Sequence, residues 1–300
     1  MIKDKRYRGI LFMLLAALCF SSMGGGAKAL KDNFSAGQLV FYRNAIGLLI
    51  LVPGLFIKSP IQKGGKFFRL AFRGVMGTIA LYTLLYCILH IPLGAAMSYN
   101  LTSALFIAIF SFFLFGEYHG KKVLIAVLLG FSGMLLIYKP NMHFPWYYHA
   151  TGLLSGIVSA IAYLTLGRLT NYYDPRVIVL SFLTSGFILP LISLIIHYAV
   201  GTPADGLLII DWQWPHGMEW VSMLLMGLAA LFGQYFVTRA FGSDKAGIVS
   251  VFGYANIIFS VFIGMTLGDD FPGIISWIGI FCIILSGIII SLVKRRTSTT

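Results

Sequence analysis

Charge is scarce in this chain. Asp, Glu, Lys and Arg make up 11% of the 300 residues, hydrophobic residues 58%, and mean hydropathy is +0.88. Soluble domains carry roughly a quarter charged residues, so an ordinary soluble fold is excluded. Acid is scarcest, with 10 Asp and Glu against 22 Lys and Arg, and every acid falls at the end of an apolar run or in a connection. A carrier that binds proton and lipophilic cation in turn needs a carboxylate near mid-membrane. That mechanism is therefore not expected. Cys19, Cys87 and Cys282 each sit inside an apolar run without a CxxC spacing, which excludes a disulfide framework and leaves them as small core residues. The six histidines lack the i, i+4 spacing or carboxylate companions of a metal site, and His143 and His149 offer at most adventitious binding. No metal and no cofactor are expected.

The net charge of +12 does not make a nucleic-acid binder, because the basic residues lie in short segments between apolar runs rather than on a folded soluble surface. Those runs are near twenty residues long, enough to cross about 30 Å of hydrocarbon, and must be helical because lipid cannot satisfy exposed backbone groups. Ten spans are predicted: Gly9–Leu30, Ala36–Ile57, Phe68–His90, Pro92–Phe115, Lys122–Lys139, Ala150–Leu169, Arg176–Val200, Trp220–Ala240, Gly247–Gly268 and Gly273–Val293. Residues 1–8 are basic, but the run that follows extends to Leu30 without a small-residue cleavage site, so it reads as the first span rather than a removed leader. Pro92 stands where it can open a helix without losing a hydrogen bond. Placing both ends on the cytoplasmic side puts 18 of the 22 Lys and Arg inside, among them Lys3, Lys5, Arg6, Arg8, Arg69 and Arg73. Only Lys28, Lys31 and Lys139 are then outside, and Arg43 is left within a span. The asymmetry follows the positive-inside rule and predicts a multi-pass protein of the inner or plasma membrane. The one sizeable outside segment, Gly201–Glu219, carries Asp205, Asp211 and Glu219 beside Trp212, Trp214 and Trp220, a pattern of an interfacial belt or, alternatively, of a recognition loop.

The chain also matches itself. A shift of 153 residues pairs Gly74 with Gly227, Tyr82 with Tyr235, Gly94 with Gly247, Phe106 with Phe259 and Glu117 with Asp270. A shift of 143 pairs Gly9 with Gly152, Ala17 with Ala160, Phe20 with Tyr163 and Gly24 with Gly167. The unit is five spans, residues 1–145 and 146–300. An odd number of spans starts the second copy on the opposite side, so the expected architecture is all-α, ten transmembrane helices as two inverted five-helix repeats. Secondary transporters use that construction to alternate access around a midplane site.

Phe41-Tyr42-Arg43-Asn44 in the second span, Arg73-Gly74 opening the third, Ile91-Pro92-Leu93-Gly94-Ala95-Ala96, Leu114-Phe115-Gly116-Glu117 and Gly130-Phe131-Ser132-Gly133 together resemble the EamA repeat of the drug/metabolite transporter superfamily. The likeness covers nearly the whole chain. The second copy departs from it: Gly268-Asp269-Asp270 replaces the usual Gly-Glu, Lys245 sits opposite Pro92, and nothing basic matches Arg43. The resemblance implies two inverted halves around a central cavity lined mainly by spans one, three, four, six, eight and nine, with span two peripheral.

Arg43 is the one charge this reading leaves inside a span, about 12 Å from its outer end at 1.5 Å per residue. Either it binds a carboxylate or phosphate of the cargo, or it snorkels outward, or it braces the second span through backbone carbonyls. Ser22, Tyr82, Tyr86, Tyr99, Asn100, Tyr163, Gln234, Tyr254 and Asn256 are polar or aromatic residues on the expected cavity spans. Each is a candidate for substrate binding or for hydrogen bonding between helices. Gly24-Gly25-Gly26 is a candidate gating hinge or a close helix contact, as are Gly152 and Gly156 at GxxxG spacing. Gly130-Phe131-Ser132-Gly133 also matches the GxSG of rhomboid proteases, but the downstream histidines lie in connections or at span ends, away from a serine that needs a base within hydrogen-bond reach.

The expected function is thus a secondary transporter, not an enzyme, moving a small polar metabolite by alternating access. Amino acids and their relatives fit. So does a zwitterion of the S-adenosylmethionine kind, which some relatives resembling this chain take up. The expected partners are the metabolite and the lipid bilayer, with a homodimer left open. A non-transporting or lipid-handling bundle and an intramembrane hydrolase are the alternatives.

Overall fold

A computed structural model of the chain describes residues 7–61, 63–91, 93–115, 120–138, 145–201, 212–244, 246–266 and 273–296. Expectations resting on Lys3, Lys5, Arg6, Pro92, Gly116, Glu117, Lys139, His143, Asp205, Asp211, Lys245, Gly268, Asp269 and Asp270 lie outside those residues.

The described residues form helices and no strand: α1 (Arg8–Ala29), α2 (Ala36–Ile57), α3 (Phe67–His90), α4 (Leu93–Leu101), α5 (Ser103–Phe115), α6 (Gly120–Tyr138), α7 (Trp146–Leu169), α8 (Pro175–Val200), α9 (Met218–Ser243), α10 (Ala246–Phe252), α11 (Ala255–Thr266) and α12 (Ile274–Arg296). They follow the ten spans read from the sequence, with two differences. The fourth span is broken into α4 and α5, and the ninth into α10 and α11. Among the described residues, seven stretches are long and apolar enough to cross a bilayer: α1, α2, α3, α7, α8, α9 and the stretch Ile248–Thr266. Side chains such as Leu49, Phe56 and Ile195 point outward at 65–83% exposure, a surface that suits hydrocarbon and not water.

Local chemistry explains the helix ends. Ser35 caps α2 by accepting from Gln38 N while the Gln38 side chain accepts from Ser35 N, a reciprocal capping box. Asp174 accepts from Arg176 N, Pro175 stands at the first position of α8, and Gly201 closes that helix in a left-handed turn at φ 67°. Partial burial disfavours the Asp174 charge, yet its hydrogen bonds from Arg176 hold the carboxyl below its ordinary range. At the α4–α5 break the Thr102 hydroxyl donates to Tyr99 O at 2.6 Å, competing with the backbone ladder. At the α10–α11 break a turn runs through Gly253 and Tyr254, whose amides reach back to Ser250 O and Val251 O.

The helices pack in pairs distant in sequence: α1 with α9, α3 with α7, α2 with α8 and α6 with α12. The α4–α5 break rests on α7, where a Cβ at Gly152 would stand 2.6 Å from the Tyr99 ring and one at Gly156 2.7 Å from Tyr99 O. The GxxxG spacing therefore serves close packing. The glycine triplet does so too, since α1 runs unbroken through Gly24–Gly26 and Gly26 lies against Met226 of α9. The tryptophan segment is strapped to the start of α2: Gln213 O accepts from Gln38 Nε2 at 3.2 Å and Tyr42 Oη at 3.1 Å, and Trp212 packs on Phe41 and Tyr42.

Gly156→Leu is expected to destabilise the purified protein by about 1–3 kcal/mol through overpacking against Thr102, and Gly156→Ala by less. Thermal unfolding in detergent reads the difference. An unchanged midpoint for the leucine variant would show that the broken span does not rest on this face.

Candidate functional site

Between α1, α2, α3, α4, α5, α7, α8, α9 and the α10–α11 break lies an internal cavity of about 90 Å³. That is room for several waters or for the polar head of a small metabolite. Its lining comes from the spans that the resemblance implied, plus α2 and α8, which contribute Arg43 and Phe182.

Two guanidinium groups dominate it. Arg43 and Arg73 are each 1% exposed. Arg43 Nε donates to Met23 Sδ at 3.2 Å and Nη1 to Asn44 Oδ1 at 3.2 Å. Arg73 Nη2 donates to Gln234 Oε1 at 2.9 Å. Among the described residues, Arg73 Nε and Nη1 have no hydrogen-bond partner. Both guanidinium carbons stand over the Phe182 ring, Arg43 at 5.2 Å from its centroid and Arg73 at 4.8 Å. Such cation–π contacts return up to about 2 kcal/mol each when desolvated, less than the several kcal/mol that an unpaired buried cation costs. No Asp or Glu among the described residues lines the cavity.

The remaining polar lining is neutral. Asn100 Nδ2 donates to Ser155 Oγ at 2.8 Å and Ser159 Oγ at 2.9 Å, which ties α4 to α7. Asn256 Nδ2 donates to Ala17 O at 3.0 Å, Ser21 Oγ donates back to Asn256 O at 2.7 Å, and Ser260 Oγ joins at 3.1 Å from Ser21 Oγ, which ties α11 to α1. Tyr163 stacks on Phe241 at 5.2 Å with its edge in the cavity.

Of the candidates read from the sequence, Arg43, Asn100, Tyr163, Gln234 and Asn256 meet at this cavity. Ser22 is exposed and donates to Leu18 O. Tyr254 is fully buried with its hydroxyl towards Val127 O of α6 and its ring on Gly130. Tyr82 is buried in the core beside the cavity, its hydroxyl without a partner among the described residues. Tyr86 and Tyr99 join an aromatic layer where α3 ends and α7 begins: Tyr86 lies on His90 and Tyr148, and Tyr99 hydrogen-bonds His149. In the GxSG segment Ser132 Oγ donates to Leu128 O on an exposed face of α6.

Two expectations are corrected here. Arg73 was placed among the cytoplasmic cations, but α3 begins at Phe67 and carries Arg73 nearly two turns inward, to the cavity. Arg43 is therefore not the one charge inside a span. Nor does Arg43 snorkel: α2 is one of the least buried spans, yet this side chain turns inward towards Phe182. The signal available for Arg73 was its place within the third span, seventeen residues before the span ends at His90.

A family model described as the EamA-like transporter family matches residues 7–139. A Helicobacter pylori protein named an uncharacterized transporter is 31% identical over 288 residues, 95% of this chain and 94% of its own length. The chain belongs to the EamA-like transporter family. This places it in the drug/metabolite transporter superfamily, as a multi-pass membrane transporter. Other relatives include a pseudopaline exporter of Pseudomonas aeruginosa, 32% identical over 87% of each chain, and a riboflavin transporter of Vibrio cholerae, 25% identical over 87% of this chain and 85% of its own. A crystal structure superposes with a TM-score of 0.74 across 98% of this chain and 97% of the other at 17% identity, which shows a shared fold.

In this EamA-type carrier Gln234 is the hydrogen-bond acceptor that holds Arg73. Gln234→Leu is expected to lower stability by about 1–3 kcal/mol by leaving a further charged donor unmet. Gln234→Glu is expected to raise it by pairing the guanidinium. Equal unfolding midpoints for the two variants would show that Arg73 is already compensated.

Proposed function

We propose that this protein is a secondary transporter of the inner or plasma membrane, with both chain ends cytoplasmic, that moves a small polar metabolite by alternating access between two inverted five-span halves, residues 1–145 and 146–300. The observation that carries this reading is the polar cavity to which both halves contribute: Arg43, Arg73 and Asn100 from the first, Tyr163, Gln234 and Asn256 from the second.

The helix pairing supports the symmetry. Exchanging the halves maps α1 on α7, α2 on α8, α3 on α9 and α6 on α12. The pair α1–α9 then becomes α7–α3, α1–α11 becomes α7–α5, and α2–α8 and α6–α12 map on themselves; all of these pairs are in contact. The two broken spans agree as well, because a shift of 153 carries Thr102, at the first break, to Ala255, beside the second. Discontinuous helices at a midplane site are a device of secondary transporters, since they free backbone polar groups only where protein or cavity can satisfy them.

The cargo in this reading is amino-acid-like and meets Arg43 and Tyr163, with Asn100, Gln234 and Asn256 shaping the wall around it. The names of the relatives, a pseudopaline exporter and a riboflavin transporter, support small polar metabolites as the general class, and the exporter favours outward movement. Gly24–Gly26, where α1 rides on α9, is the proposed flexing point.

Proteoliposomes loaded with a metabolite extract and analysed by mass spectrometry test the carrier. Saturable flux of at least one compound is expected, and no flux of any compound would sink it. Arg43→Ala is expected to reduce transport about tenfold or more through loss of a charge-assisted contact; unchanged KM and maximal rate in a folded variant would make Arg43 scaffold. Impermeant labelling of single cysteines at the two chain ends should mark both on one side of the membrane. Labelling on opposite sides would remove the inverted pair.

A further inference from the structure

Resting on that transporter reading, we infer that the cargo carries an anionic oxygen group, a carboxylate or a phosphate, which binds between the guanidinium groups of Arg73 and Arg43, and that the site selects against net cations.

Arg73 provides the first half of the argument. Its Nη2 is engaged by Gln234, while Nε and Nη1, on either side, are buried and have no partner among the described residues. Nη2 carries a second hydrogen, so on the edge that Gln234 leaves open it forms, with Nε or with Nη1, a parallel fork that fits two oxygens of one carboxylate or phosphate. Its charge is permanent, so the mismatch cannot be relieved by losing a proton. Arg43 provides the second half. Its partners, Met23 Sδ and Asn44 Oδ1, are neutral, and a thioether is a weak acceptor. Both cations line the same cavity and approach one ring, Phe182. The like charges repel, and the repulsion is strongest where water is excluded. A bound anion relieves it.

The other walls decide between cargo classes. Asn100 and Asn256 are already committed to neighbouring helices, and Ser103, Ser159 and Ser250 are uncharged. No described acid lies at the cavity to receive an ammonium or a sulfonium. Of the four described acids, Asp32, Asp174 and Asp244 lie in connections and Glu219 in the first turn of α9. Net anions are therefore favoured over neutral zwitterions. A net cation such as S-adenosylmethionine is disfavoured most, which sets aside the cargo the family resemblance brought forward.

The test has two arms on the full-length protein. In the first, wild type and Arg73→Gln are reconstituted in proteoliposomes with a metabolite extract, used untreated, methyl-esterified or phosphatase-treated. The compounds moved are expected to be net anions, with flux lowered about tenfold or more in Arg73→Gln. Loss on esterification assigns a carboxylate, and loss on phosphatase treatment a phosphate. Saturable flux of a neutral or cationic compound, or flux unchanged in Arg73→Gln, overturns the inference and leaves the transporter standing. In the second arm the probes are succinate and inorganic phosphate, read by thermal unfolding in detergent against chloride at equal ionic strength. At least one is expected to stabilise wild type. It should not stabilise Arg73→Gln, nor Gln234→Glu, in which an internal carboxylate occupies the guanidinium without threatening the fold. If flux is absent but this response holds, the anion site survives and the transporter reading fails. If wild type responds to neither probe, or the variants respond as wild type does, the inference is overturned.

Discussion

Two positive charges that cannot be shed are buried at the wall of one cavity, and the interior is arranged around that constraint. Arg43 enters from α2 and Arg73 from α3. The aromatic ring that both approach belongs to α8, and the amide that steadies one of them comes from α9. Four helices thus converge on one electrostatic problem. Removing water from a cation is unfavourable, and neutral acceptors and a ring face return only part of that. A bundle that needed only to be stable would place leucines here. Retaining both charges makes sense where a counter-charge arrives from outside and leaves again, so that the deficit is part of the working cycle.

The neutral polar groups around the cavity have a different task. Asn100 with Ser155 and Ser159, and Asn256 with Ala17 and Ser21, are closed sets of hydrogen bonds, each linking a broken span to an unbroken helix. In hydrocarbon surroundings apolar contact drives helices together only weakly, and such bonds add modest increments each. Their value here is geometric. They hold α4 to α7 and α11 to α1, so each interruption is anchored to a helix that does not break.

Much of this was legible in the sequence, because crossing a bilayer imposes a length. The span Ala36–Ile57 is helix α2 residue for residue, and the third and seventh spans differ from α3 and α8 by one residue at their starts. The start of α7, at Trp146 rather than Ala150, was obscured because its first turn is aromatic and reads as interface. The interruptions at Thr102 and Gly253 were not read from the sequence, since the polar residues beside them, such as Asn100 and Asn256, suit an unbroken cavity-facing helix as well; the breaks depend on a threonine hydroxyl and a glycine turn finding room against neighbouring helices. Site residues divided for a related reason. The amide and charged candidates Arg43, Asn100, Gln234 and Asn256 lie at the cavity, and of the tyrosine candidates Tyr163 does. The other tyrosines lie elsewhere, because a phenol can finish a helix seam as readily as a binding wall, and Tyr254 against Gly130 does the former. Arg73 was hidden by a rule that is sound on average: arginines near span ends are counted as cytoplasmic, and only the tertiary fold shows this one turned inward.

The seating of the α4–α5 break on Gly152 and Gly156 has a consequence for how selectivity can drift. Asn100 and Ser103, which face the cargo space, flank Thr102, and Thr102 is held from behind by the glycine face of α7. A modest change in bulk on that hidden face would tilt both wall residues together while every cavity side chain kept its identity. In the proposed carrier, preference among similar solutes is thus adjustable from the rear of the wall, by residues that line no part of the cavity, while the cationic pair stays untouched.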